Sequence, residues 1–142
     1  MSLAEASDSS YRGASYLIIL TESGSPSAVV SEVALEADKT WAKGDITGRL
    51  QRPQEFSGVL FDSRLPEAEP PTAHVSALLD RLRPHIEAIA AVSRSPETHV
   101  VRVHIVEHTS RDNPEIWLDT STVQLIGEMG AGIIFDCYVS GQ

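Results

Sequence analysis

His74–Val92, HVSALLDRLRPHIEAIAAV, holds the longest one-sided pattern in the 142-residue chain. Its apolar side chains fall at Val75, Leu78, Leu79, Leu82, Ile86, Ile89 and Val92. Steps of three and four place them in one stripe along an α-helix. Asp80, Arg81, Arg83 and Glu87 fill the gaps and are expected to face water, as are His74 and His85. Pro84 interrupts the helix, because it cannot donate to the Asp80 carbonyl and its ring clashes there, at roughly 3 kcal/mol in a straight helix. The stripe continues in phase beyond it, so a kink near Arg81–Arg83 is expected rather than two separate helices. Every inward residue is an aliphatic packing group, which gives this helix an architectural role.

The flanking sequence supplies what such a stripe packs on. Tyr16–Leu20, YLIIL, is a continuous run of strand formers that reads as central in a sheet or covered on both faces. Ser25 before Pro26 has the form of an N-cap with proline at the first helical position, opening a helix to about Leu35. Ser57–Ser63, SGVLFDS, is a second strand, and Leu65–Pro71 an extended connection, after which Thr72 is placed to cap the main helix. Thr98–Glu107, THVVRVHIVE, alternates: Val101, Val103 and Ile105 share one face, Arg102 and His104 the other. A polar loop from His108 to Pro114 leads to an expected return strand starting at Glu115–Leu118. Asp119 or Thr120 then caps a short helix that Gly130 ends. The last strand is Gly132–Val139, GIIFDCYV, with Ile133, Phe135, Cys137 and Val139 facing one way and Ile134, Asp136 and Tyr138 the other.

The order β-α-β-α-β-β-α-β describes an α+β domain: a largely antiparallel sheet with about three helices on one face, a ferredoxin-like variant. Residues 1–14 are small and polar and read as a flexible tail, leaving 15–142 as one globular domain.

Composition removes several function classes. The formal net charge is −9, and the few basic residues are scattered, which argues against nucleic-acid binding. No apolar run approaches the roughly 20 residues of a membrane span, and no secretory signal pattern opens the chain. One cysteine, Cys137, fits a reducing, cytoplasmic setting.

The chemistry-bearing residues are few. His104 and His108 share a strand face, but about 13 Å apart on an extended chain, too far for one zinc ion. Wet-face histidines and no metal are the expectation. Cys137 should point into the core, where a thiol is inert. No nucleophile elbow or phosphate loop occurs, so no catalytic residue and no cofactor are assigned. Two groups are left as candidate binding residues. Trp41, Lys43 and Asp45 lie in a polar turn, where the indole either anchors a loop or offers a recognition surface. Arg102, Asp136 and Tyr138 lie on the sheet face opposite the core set, lining a groove or forming a solvated ion pair. Asp62, at its strand end, is placed to join either group.

One resemblance spans roughly Tyr16 to Val139. The turn Trp41-Ala42-Lys43-Gly44-Asp45, the helix LLDRLRPHIEAI and the ending GAGIIFDCY, in that order, resemble the small bacterial domain of unknown function numbered 4279. In that family the residue after the second strand's opening glycine is often tryptophan; here it is Val59, so no indole role transfers to that position. The resemblance implies fold boundaries and no activity. The functional expectation is therefore a non-enzymatic, cytoplasmic protein-binding module of immunity or inhibitor type, docking on a basic protein partner. The alternative is a small-ligand binder or hydrolase on the open sheet face, and a homodimer through exposed strands is a third reading.

Overall fold

A computed structural model describes residues 11–22, 25–47, 51–109 and 116–139. The fold is α+β. Strand β1 (Tyr11–Thr21) is the centre of a five-stranded sheet. It pairs antiparallel with β5 (Ser57–Asp62) on one side and β6 (Thr98–Thr109) on the other. Outside β5 lies the short β2 (Lys39–Trp41), and outside β6 lies β7 (Gly132–Val139), giving the order β2-β5-β1-β6-β7. Three of the four pairings are antiparallel; β7 runs parallel to β6 because a helix carries the chain back before it starts. A separate two-stranded ribbon joins β3 (Ile46–Thr47) to β4 (Arg52–Pro53).

The helices are α1 (Pro26–Val33), α2 (Pro71–Leu82), α3 (Ile86–Ser93) and α4 (Thr120–Glu128). Ser25 Oγ caps α1 by accepting from the Ser27 backbone N–H, and Asp119 caps α4 by accepting from Thr122. A 3₁₀ turn, Arg83–His85, joins α2 to α3 at the proline. Against the expected kink, the helix is broken there into two, His85 leaving helical backbone with φ −116° and ψ 10°. The stripe still carries across the break: Leu78, Leu82 and Ile89 are all fully buried against Leu17, Ile19 and Phe61 of the sheet's inner face. Gly130, with φ 72°, ends α4.

Several expectations are corrected. Arg81 does not face water: its side chain is 14 % exposed and bonds Asp38, the Asp62 carbonyl and the Glu36 carbonyl. The guanidinium is long enough to fold back from a gap position of the stripe onto the end of β5. His74 is buried, with Nδ1 2.7 Å from Ser63 Oγ, and His85 Nδ1 donates to the Val33 carbonyl at 2.9 Å. Thr72 caps nothing, since Pro70 occupies the cap position and Pro71 starts the helix. Ile116–Asp119 forms no strand; the rest of that expected hairpin, 110–115, lies outside the described residues. Strand β1 reaches back to Tyr11, so only residues 1–10 of the expected tail lie outside. There Gly13 is needed: a Cβ would stand 2.8 Å from the Glu69 carbonyl oxygen and 3.0 Å from His74 Cδ2.

Candidate functional site: the open sheet face

Side chains alternate across a strand, so the core set at odd positions leaves the even positions on the sheet's other face. Tyr16, Ile18 and Leu20 come from β1, Leu60 and Asp62 from β5, Val100, Arg102 and His104 from β6, and Ile134, Asp136 and Tyr138 from β7. The register lines Asp62, Tyr16, His104 and Ile134 across the sheet in one row. The helices contribute their buried residues to the opposite, inner face.

One cluster is built from three strands. Arg102 Nε donates to His104 Nε2 at 2.8 Å. That bond makes Nε2 an acceptor and places the imidazole proton on Nδ1. Nδ1 is buried without a hydrogen-bond partner, and the Asp136 carboxylate stands 3.7 Å from it. The Tyr16 ring stacks on the imidazole, centroids 4.8 Å apart. Farther along the face His108 stacks on Tyr138 at 4.5 Å. Burial lowers the His104 pKa and the Arg102 charge lowers it further, against the pull of Asp136. Burial raises the Tyr16 pKa, helped by Asp136 and Tyr138. At neutral pH the cluster is a neutral imidazole and a neutral phenol between one cation and one anion. It is poorly arranged for acid–base catalysis, because the basic nitrogen is already occupied. It offers a carboxylate, spare guanidinium N–H groups and the half-exposed Tyr138 ring to an incoming surface.

Arg102, Asp136 and Tyr138 therefore sit on one part of the face. Trp41, Lys43 and Asp45 do not join them; β2 is the opposite edge, three strand spacings (about 14 Å) from β6 and four (about 19 Å) from β7. The Trp41 indole lies flat over Gly58, where any side chain would overlap it. Asp45 is used by its own turn, its Oδ2 accepting from the Ala42 N–H at 2.8 Å, and Lys43 is exposed. Asp62 ends its strand beside Tyr16 and gives its backbone N–H to Asp38 Oδ2. Tyr16, His104 and His108 are members of the site that the sequence did not name as binding residues, and His104, expected on a wet face, is buried at 8 % exposure. Their signal was the alternation itself, which marks the face but not which strands meet.

The expected inward position of Cys137 is also corrected. It lies on the inner-face row but is exposed, because β7 is an edge strand that the helix layer leaves partly uncovered. Burial, then Glu107 and Asp136, raise its pKa, which leaves little thiolate. Among the described residues no group of three or more His, Cys, Asp or Glu is placed to hold a metal ion. A depression at Gly13, Ala14, Glu67, Val106 and His108 measures about 160 Å³, against the roughly 300 Å³ or more of ligand pockets. A larger one, about 280 Å³, lies on the helix side between α2 and Trp117–Thr122.

A model of the family described as domain of unknown function (DUF4279) matches residues 9–140. The chain belongs to the DUF4279 family. No curated protein and no solved structure matches this DUF4279 domain. Among its described residues no helix is long and apolar enough to cross a membrane.

Proposed function

We propose that this DUF4279 domain is a non-enzymatic protein-binding module that docks a basic partner on the open sheet face. One observation carries the reading. The central strand is apolar on both faces, with Leu17 and Ile19 fully buried under helices. Tyr16, Ile18 and Leu20, on the other face, are intermediate in burial and stand outside the helix-covered core cluster. A wet antiparallel face ordinarily alternates to polar residues, whereas this one carries Ile18, Leu20, Leu60 and Val100 side by side. An apolar centre rimmed by Tyr138, Arg102 and Asp136 is the composition of a docking surface. The net charge of −9 supports a basic partner, drawn in by the field of the whole molecule. An immunity- or inhibitor-type role in the cytoplasm belongs to the same proposal. A small-ligand or hydrolase role draws less support, given the occupied imidazole nitrogen and the small depression beside the face.

The test compares wild type with Ile18→Lys and Asp136→Lys as baits in lysate of the source cell, scored by quantitative mass spectrometry. A basic protein enriched by wild type, lost with either face variant and weakened by salt supports the proposal. Thermal melts must show both variants folded. Enrichment that ignores both substitutions, or no enriched basic protein, overturns it.

A further inference from the structure

The sheet ends differently at its two edges. β2 is three residues long and carries Lys39, which suits an edge that must not recruit another strand. β7 is eight residues long, contains no Lys, Arg or Pro, and shows no bulge in its pairing with β6. Among the described residues its outer backbone groups have no neighbouring strand, since β7 is the last in the sheet. Natural edges of this length are ordinarily blunted by charge, proline or a bulge; this one has Asp136 alone.

Apolar exposure concentrates at the same place. Phe135, Tyr138 and Val139 of β7 are 49 %, 52 % and 45 % exposed, and Val123 of α4, the helix leading into β7, is 48 % exposed. Charge is sparse there. Residues 116–139 hold no Lys or Arg, and only Asp119, Glu128 and Asp136 are acidic. Along β7 itself Asp136 is the one charged side chain, so a second copy of the chain meets little like-charge repulsion where the strands would pair.

We infer that β7 pairs antiparallel with β7 of a second copy, joining two sheets into one of ten strands. A two-fold axis normal to the sheet keeps inner-face residues beside inner-face residues, so only some registers are allowed. Centring on Asp136 sets two carboxylates opposite each other, which is destabilising. Centring on Phe135 sets Phe135 against its own copy, Ile133 against Cys137 and Ile134 against Asp136, and pairs Gly132 through Tyr138, leaving Val139 opposite Ala131. That register makes Ile133, Phe135 and Cys137 of the inner row self-complementary. The paired edge is about 24 Å long. With a sheet and helix layer roughly 20 Å deep, it covers on the order of 500 Å² per copy, below the ~800 Å² of a standard interface. The dimer is therefore expected to dissociate in the micromolar range.

The experiment is size-exclusion chromatography with light scattering from about 1 to 500 μM, on wild type and on Phe135→Lys. Hydrogen exchange of the β7 amides is followed at both ends of the range. The inference expects wild type to rise from 15.4 kDa toward twice that mass, with β7 amides slowing as it does. Phe135→Lys, at a half-exposed site, stays monomeric with its circular dichroism unchanged; should it unfold, Val139→Lys takes its place. A monomer throughout, or a dimer whose β7 amides exchange at the monomer rate, overturns the inference.

Discussion

His104 shows how one residue's surroundings set its chemistry. Stacked on Tyr16 and bonded through Nε2 to Arg102, it is held neutral, first by burial and then by the neighbouring guanidinium. Its folded pKa lies below the unfolded value of about 6.5. The unfolded chain therefore takes up a proton that the folded chain resists, and stability must fall as pH drops below that value. Above it, the His104 contribution is fully present. His104→Gln keeps an acceptor for Arg102 but removes the titration. Urea unfolding of wild type between pH 7.5 and 5 should show the loss, and the variant should show a flatter profile over the same interval. Equal slopes would mean that some other group sets the pH dependence. Asp38 and Asp119, whose pKa values are also lowered, lose their contributions only at more acidic pH, so they do not confuse this window.

Elements here are held together by a side chain that looks like surface in a helical wheel. Arg81 reaches from α2 to the carbonyl of Asp62 at the end of β5 and to the carboxylate of Asp38 before β2. Its other terminal nitrogen donates to the Glu36 carbonyl, and its guanidinium carbon lies 5.9 Å from the centre of the Phe61 ring. Burial alone would raise the Asp38 pKa, but the Asp62 N–H and the Arg81 and Arg64 guanidinium groups outweigh it and hold the carboxyl below its usual range. Arg81→Met keeps much of the stem packing and removes every one of these bonds. It should cost about 1–3 kcal/mol, since it leaves a half-buried carboxylate and two carbonyls short of donors. Arg64→Ala, which removes a pair whose arginine is half exposed, should cost clearly less. Denaturant midpoints for the two variants check the order; equal costs would show that the pin is ordinary surface pairing. The periodicity that marked α2 also misplaced Arg81. A gap position predicts where the Cβ points, not where a guanidinium four bonds farther on comes to rest.

At the scale of the whole molecule, what was legible in the sequence was local. Ser25-Pro26, Asp119 and Gly130 set helix ends through neighbours a few residues away, and the interruption at Pro84 follows from its own missing N–H, although it breaks the helix in two where a kink was expected. The alternation of β6 gave the right two faces. The candidate site needed long-range register: Tyr16 meets His104, and His104 meets Asp136, only because β1, β6 and β7 are adjacent. Edge position was equally silent, which is why Cys137 has the right row and the wrong exposure. Sheet order should also grade local stability. β1 is bonded on both sides, to β6 from Tyr11 and to β5 from Tyr16, and it faces the main helix. β2 is held by three paired residues and β7 along one side only. Native-state hydrogen exchange at low protein concentration should therefore find the Leu17–Ile19 amides opening only with global unfolding. Amides of Lys39–Trp41 should open at a small fraction of that free energy, and those of β7 in between. If β7 amides were as slow as those of β1 in the isolated monomer, its outer edge would have to be covered within the chain itself, and the pairing inferred for it would have no free edge to use.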